Sequence, residues 1–301
     1  MNILITGSTG FLGTPLAEFL ESQGHKIYHL VRTQEDSSDK IYWDIDRKYI
    51  DTRKLNSINS IDAVINLAGE NIAAGKWTKE IKQKIYDSRI NGTMLLATTL
   101  EKLGIKPDVW INASAVGYYG NTQDKLNYED SENGRDFLAN VCRNWEEAAF
   151  SVSGNGTRVV VLRFGIILSK DGGMLGKILP IFKAGPGGIL GNGQQYFSWV
   201  AREDVINIIN FALNSDISGV FNTVSPDMVT NEEFTKSLGK ALNRPVFLSV
   251  PEFLLKLLYG EMAEALLLSS TKVSSNKIMN AGYYFMHPNL DEFLINEFRN
   301  K

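Results

Sequence analysis

A chain of 301 residues with 44% hydrophobic and 22% charged residues has room for one large or two modest domains around a substantial core, which excludes a disordered or fibrous protein. Lysine and arginine (31) nearly balance aspartate and glutamate (34), and the net charge of −3 offers no basic footprint for nucleic acid or an anionic membrane. The single cysteine, Cys142, excludes an internal disulfide and a thiolate metal cluster.

The chain opens directly into Asn2-Ile3-Leu4-Ile5-Thr6, without the basic and apolar regions of a secretion signal, and a reducing cytoplasm is the expected compartment. Short β-branched runs predict strands over 2–6, 26–31, 63–67, 109–113 and 158–164, and longer amphipathic stretches predict helices over 12–22, 79–103 and 137–152. Gly24, Gly104 and Gly154 fall just past helix ends, where a left-handed residue is expected. This alternation predicts an α/β fold, a doubly wound parallel sheet with right-handed crossovers. Glycines then crowd between Gly172 and Gly193, predicting a functional loop region. A further strand is expected over 219–224 and helices over 230–242, 251–268 and 291–298. The domains expected are a dinucleotide-binding unit over 1–226 and a small, mostly helical cap over 227–301, with the glycine-rich excursion 171–196 packing against the cap. Glu252, Lys256, Glu261 and Glu264 interrupt the most apolar helix, so no membrane span is predicted.

Thr6-Gly7-Ser8-Thr9-Gly10-Phe11-Leu12-Gly13 places three glycines at GxxGxxG spacing between the first strand and the first helix. Glycines at this density would produce about 0.2 such triplets by chance, so the strand–turn–helix position carries the weight. There the glycines permit a tight reversal, backbone approach to a pyrophosphate and close helix packing, which makes Gly7, Thr9, Gly10, Phe11, Leu12 and Gly13 candidate cofactor contacts. At the end of the second strand, where a carboxylate selects NAD, the chain has Arg32-Thr33, a pair suited to a 2′-phosphate. NADP(H) is therefore the expected cofactor. Asp44 reads either as a contact to the adenine edge or as a surface turn.

Other chemistries fail by count. His25, His29 and His287 have no zinc spacing, no Gly-x-Ser-x-Gly elbow exists, and Gly13-Thr14-Pro15 lacks a phosphate-loop lysine. No metal is expected. Cys142 reads as a small buried hydrophobe.

TGxxGxxG, Asn66-Leu67-Ala68-Gly69 and Gly92-Thr93-Met94-Leu95-Leu96 resemble the extended short-chain dehydrogenase/reductases. Asn66 through Ile72, Trp77, Ser88-Arg89, Ser114 through Gly120, Trp145-Glu146 and Gly187 through Gln194 resemble more closely an atypical, epimerase-like family with a distinctive small C-terminal domain, echoed in Thr230 through Phe234, Arg244-Pro245 and Gly260-Glu261-Met262. The resemblance implies cofactor contacts at Leu67, Ala68, Gly69, Glu70, Lys76, Arg89 and Ile166. Arg89 reads equally as a surface salt bridge, and Glu70 and Lys76 as solvated loop charges. It also implies a tyrosine–lysine pair for proton transfer, and here the chain departs: Leu138 and Cys142 stand at those positions. Ser114 becomes the candidate for orienting a substrate oxygen, with Ala115 the rival register. Tyr119 is a candidate proton donor or a packing aromatic, Arg163 a candidate crevice residue, and Asp204 a helix N-terminal residue. The resemblance implies an oxidoreductase or epimerase-like enzyme acting with NADP(H) on a small, sugar-like carbonyl or hydroxyl substrate, as a monomer or homodimer. A catalytically silent cofactor-binding regulator or redox sensor is the competing expectation.

Overall fold

The strands over 2–6 and 63–66 are buried at nearly every position, as strands covered on both faces must be, and they pair in parallel with Ile3 opposite Ala63 and Thr6 opposite Asn66. The computed structural model describes residues 1–185 and 187–299. Its main sheet has eight strands: β1 (Asn2–Thr6), β2 (Lys26–Val31), β3 (Lys40–Asp44), β4 (Tyr49–Ile50), β5 (Ala63–Asn66), β6 (Val109–Ala115), β7 (Arg158–Phe164) and β8 (Gly219–Thr223). Their order is β8-β7-β6-β5-β1-β2-β3-β4, and only the β3–β4 pair is antiparallel. The chain leaves β1 toward β2 and later returns to its other side at β5, so the strand order reverses there and a crevice opens at the carboxyl ends of β1 and β5.

Helices α1 (Gly13–Ser22), α3 (Lys79–Lys102), α4 (Phe137–Phe150) and α6 (Arg202–Asn214) cover the sheet, while α2 (Thr52–Asn56) is a single turn behind β4. Period-2 alternation sends Ile3, Ile5, Ile65 and Ile111 into one core with Leu16 and Leu20 of α1 and Val205 and Ile209 of α6. Leu4, Val64 and Trp110 join Leu96 and Leu100 of α3 on the opposite face.

A third core lies beyond the strand ends. Leu175, Leu179 and Phe182 pack there with Trp199, Phe234, Leu238, Phe293 and Leu294. Its helices are α5 (Gly173–Ala184), α7 (Asn231–Ala241) and α10 (Leu290–Arg299), while α8 (Glu252–Tyr259) packs on the turn that follows it and α9 (Asn276–Asn280) is set against β8. The glycine-rich excursion is thus not a loop throughout. Leu175, Leu179 and Phe182 recur at helical spacing and are buried, and α5 forms despite the glycines at its start and Pro180 inside it. The expected single helix over 251–268 is two pieces: α8 stops at Gly260 (φ +60), and a wider turn follows over Ala263–Leu267. Strands β3 and β4, absent from the sequence expectations, extend the sheet through buried Ile41, Trp43 and Ile50. Gly24 and Gly104 do take positive φ, but after α4 that role falls to Gly156, not Gly154. Among the described residues no helix is long and apolar enough to cross a membrane.

Candidate functional site

The turn between β1 and α1 is built by close approach. A Cβ on Gly7 (φ +69) would lie 3.0 Å from the Leu67 carbonyl carbon, and one on Gly13 would overlap the Gly7 carbonyl oxygen and sit 2.7 Å from Ser8 Cα. Gly10 N–H closes the turn on Gly7 O at 3.0 Å. Thr9 and Gly10 remain exposed, and the start of α1 has no side-chain cap. Among the described residues the N–H groups of Phe11 and Leu12 have no acceptor, and Ser8 Oγ is buried without a partner. A helix start left open this way is an anion seat.

Beneath the turn, a buried polar chain ties three strand ends together. Thr6 Oγ1 accepts from Leu67 N and Ala68 N and donates to Asn66 Oδ1 at 2.7 Å. Asn66 Nδ2 donates to Asn112 Oδ1 and to Thr93 Oγ1 of α3, both at 2.7 Å. These bonds hold Leu67 and Ala68 beside the glycine turn.

Arg32 and Glu70 stand at the rim, with Arg32 Nη1 3.7 Å from Glu70 Oε2 and Arg32 79% exposed. Thr33 beside it is exposed. Arg89 lies against Gly69, where a Cβ would be 2.8 Å from its Cζ, and it packs over the Trp145 ring. Its Nη1 donates to Glu70 O and Ile85 O, while Nε and Nη2 have no acceptor among the described residues. Burial holds its pKa below the ordinary guanidinium value. Arg89 is therefore no surface salt bridge. Lys76 is exposed and turned to the cap, where Nζ donates to Leu257 O of α8 at 3.1 Å. Lys177 of α5 reaches Ala73 O, and Lys82 of α3 pairs with Glu261 at 2.7 Å. Ile166 is half-buried just past β7. Phe11 is overlaid by the start of α5: a Cβ on Gly172 would sit 2.8 Å from its ring.

At the end of β6 the structure departs from expectation. Ser114 is 3% exposed, and its hydroxyl donates to Glu146 Oε1 of α4 at 2.6 Å. Tyr119 is 2% exposed, and its hydroxyl donates to Asn222 Oδ1 and accepts from Arg163 Nη1. Burial pushes the Tyr119 phenol up to about 12. Strand alternation turns Ser114, like Trp110 and Asn112, toward the helix layer, while Tyr119, on the short helical turn Val116–Tyr119 after β6, is enclosed by Asn222 and Arg163. Neither hydroxyl is open to the crevice. Arg163 is likewise enclosed, with Nε and Nη2 on the two Glu146 oxygens at 2.8 Å and its Cζ 3.4 Å from the Tyr118 ring centroid. Ala115 and Gly117 are half-buried, and a Cβ on Gly117 would lie 3.8 Å from Leu138 and 3.9 Å from Cys142 Sγ of α4. Burial raises the Cys142 thiol to about 12. Asp44 is the last residue of β3, paired with Tyr49 of β4, and its carboxylate accepts from Arg47 N in the turn that follows and from Tyr42 OH. Asp204, in the first turn of α6, accepts from Tyr283 OH, Met286 N and His287 N and so anchors the 283–287 segment. Among the described residues no three His, Cys, Asp or Glu side chains gather to hold a metal.

Residues 3–223 match the model of the NAD dependent epimerase/dehydratase family. The chain belongs to that family. Residues 250–297 match a domain of unknown function, DUF1731. Human epimerase family protein SDR39U1 is 34% identical over 294 residues, spanning 96% of this chain and 97% of the relative, and Bacillus subtilis YfhF is 36% identical over 293 residues, spanning 97% and 96%. The crystal structure of human SDR39U1 (isoform 2) with NADPH superposes over 100% of both chains with a TM-score of 0.91 at 32% identity. A Thermus thermophilus UDP-glucose 4-epimerase in complex with NAD shares the fold, with a TM-score of 0.76 at 19% identity over 100% of this chain and 99% of that one.

In this epimerase-family chain the fold brings together two sets of residues whose partners the sequence did not show, although it led to Glu146 and Arg163 singly and to a substrate entrance between the 172–195 loop and the cap. The Glu146–Arg163 pair joins positions 17 apart on different elements, and no local pattern links them. The second set lines a polar cleft of about 660 Å³ between the segment after β6 and the cap, and includes Asn121, Gln195, Tyr196, Lys256 and Ser270. Their separation in sequence leaves no spacing signal.

Proposed function

We propose that this protein binds NADP(H) and acts as an oxidoreductase or epimerase-like enzyme on a small carbonyl or hydroxyl substrate. The observation that carries this reading is the open start of α1: unpartnered Phe11 and Leu12 N–H groups, over a turn that only glycines fit, at the point where strand order reverses. The residues present fit the dinucleotide. Gly7, Thr9, Gly10, Phe11, Leu12 and Gly13 would seat the pyrophosphate, and Arg32 with Thr33 the 2′-phosphate. Leu67, Ala68, Gly69, Glu70, Arg89 and Ile166 would line the rest. Lys76 would act from the rim, tying the loop after β5 to the cap. When bound, the cofactor supplies or accepts a hydride.

Ser114 and Tyr119 serve this site by holding the ends of β6, β7 and β8 through Glu146, Arg163 and Asn222, not by touching the reacting oxygen. The Tyr118 hydroxyl, without a partner among the described residues, is the member of the tyrosine pair free to exchange a proton. Residues 1–226 form the cofactor-binding unit and 227–301 the cap. Leu138 and Cys142 below Gly117, one apolar and the other held neutral, favour a second reading, a silent cofactor-binding sensor.

Calorimetric titration with NADPH and NADH tests the cofactor. Micromolar NADPH binding with far weaker NADH binding is expected, and binding of neither removes the proposal. NADPH oxidation against a carbonyl panel then separates enzyme from sensor.

A further inference from the structure

The polar cleft is walled by Asn121 and Gln123 from the segment that follows β6 and by Asn192 and Gln194 from the loop before the Trp199–Ala201 strand. That strand pairs directly with Ile166–Ser169, the strand leaving β7, so both walls grow from the crevice edge. Asn121 Oδ1 is occupied by the Ser270 and Gln123 N–H groups, and Gln194 Nε2 by Glu232. Asn121 Nδ2, Asn192 Nδ2, Gln123 Oε1 and Gln194 Oε1 have no partner among the described residues. Two free donors and two free acceptors across one cleft match hydroxyl groups, which donate and accept at once.

The charges set a second condition. Asp124, Glu252 and Glu264 line the cleft against Lys256 alone, and Lys256 Nζ lies 3.3 Å from Glu264 Oε1. Asp124 and Glu252 have no ion-pair partner among the described residues. Among the described residues no arginine lines the walls, and Lys272, beside the lining residue Tyr196, donates to the Tyr196 hydroxyl at 3.1 Å. Phosphate groups are held by guanidinium forks, ammonium groups or clustered N–H donors, and unpaired carboxylates repel them.

We propose that this cleft is the substrate subsite and takes an uncharged or amine-bearing polyhydroxylated molecule, not a nucleoside diphosphate. The assignment rests on the enzyme reading above. Hydroxyls meet the four free amide atoms, and an amine meets Glu252 and Asp124.

Saturation-transfer NMR on the full chain loaded with NADPH tests it with glucosamine, glucose and UDP-glucose as probes. Transfer is expected to be strongest to glucosamine, weaker to glucose and weakest to UDP-glucose. Glu252→Gln should weaken glucosamine five- to tenfold and leave glucose within twofold. Asn192→Trp, placed on an exposed loop where folding is spared, should abolish transfer to both sugars. Stronger transfer to UDP-glucose, transfer unchanged by both variants, or no transfer to either sugar overturns the proposal. Failure of the unmodified protein to bind NADPH overturns instead the cofactor reading, so the two failures are distinguishable.

Discussion

Arg32 and Glu70 face each other at 3.7 Å from the ends of β2 and β5, the two strands that flank β1 and its glycine turn. A 2′-phosphate arriving on Arg32 meets a carboxylate already there. Exposed pairs of this kind are weak, so the phosphate should displace Glu70 readily.

Arg32→Glu should therefore weaken NADPH binding by about 1.5–3 kcal/mol, the scale of a lost charge-assisted hydrogen bond, while sparing NADH. Glu70→Gln should act in the opposite direction and tighten NADPH several-fold at low salt. Calorimetric titration of both variants reads this, and equal losses for NADPH and NADH in Arg32→Glu would refute the assignment.

Gly13→Ala is expected to be the most damaging change at the turn. Its Cβ would overlap Gly7 O and press on Ser8 Cα at 2.7 Å, both backbone atoms with nowhere to go. Cofactor binding should be lost, with destabilisation of about 1–3 kcal/mol from overpacking. Wild-type NADPH affinity in this variant would show that the turn does not seat the dinucleotide.

The Glu146–Arg163 pair is buried and bidentate, so Glu146→Ala strands a guanidinium and should cost about 3–5 kcal/mol in urea unfolding. Ser114→Ala removes one hydrogen bond to the charged Glu146 and should cost about 1.5–3 kcal/mol, with NADPH affinity unchanged. A Ser114→Ala protein of full stability but no turnover would restore Ser114 to the reacting oxygen.

Alkaline pH should destabilise the fold. Cys142 and Tyr119 are pushed from 9.0 and 10.0 up to about 12 by burial, so the unfolded chain ionises first. Their contribution is complete below pH 9 and falls as pH rises toward about 12, by roughly 1.4 kcal/mol per pH unit for each group. Tyr283, raised by burial and by Asp204, adds to the loss above pH 10. Unfolding curves at successive pH values should show Cys142→Ala delaying the onset by about one unit, and an unchanged onset would exclude the thiol as its source.

Lys82–Glu261, Lys76 to Leu257 O and Lys177 to Ala73 O connect α3, the loop after β5, α5 and the cap. Glu261→Ala should change stability by less than about 1 kcal/mol yet speed hydrogen exchange in 70–78 and in α8. Unaltered exchange would show that the clasp does not hold the cap to the crevice.

The open α1 start, the glycine turn and the Arg32 position were legible because each depends on residues adjacent in the chain, where spacing is geometry. The same locality explains the five early strands and the helices α1, α3 and α4. Where glycines or a proline broke the pattern, as in α5, burial of Leu175, Leu179 and Phe182 against the cap outweighed weak local propensity.

Ser114 shows the other side. Its place at the end of β6 follows from the residues around it, but the direction of its hydroxyl depends on strand alternation and on Glu146 arriving from α4, 32 positions away. The Arg32–Glu70 facing, the Glu146–Arg163 pair and the amide-lined cleft are likewise made by elements that meet only when the sheet is assembled. Fold class and the glycine turn are local patterns written along the chain. Which hydroxyls are buried, which charges are paired and what the cleft presents depend on long-range packing, which no run of neighbouring residues encodes.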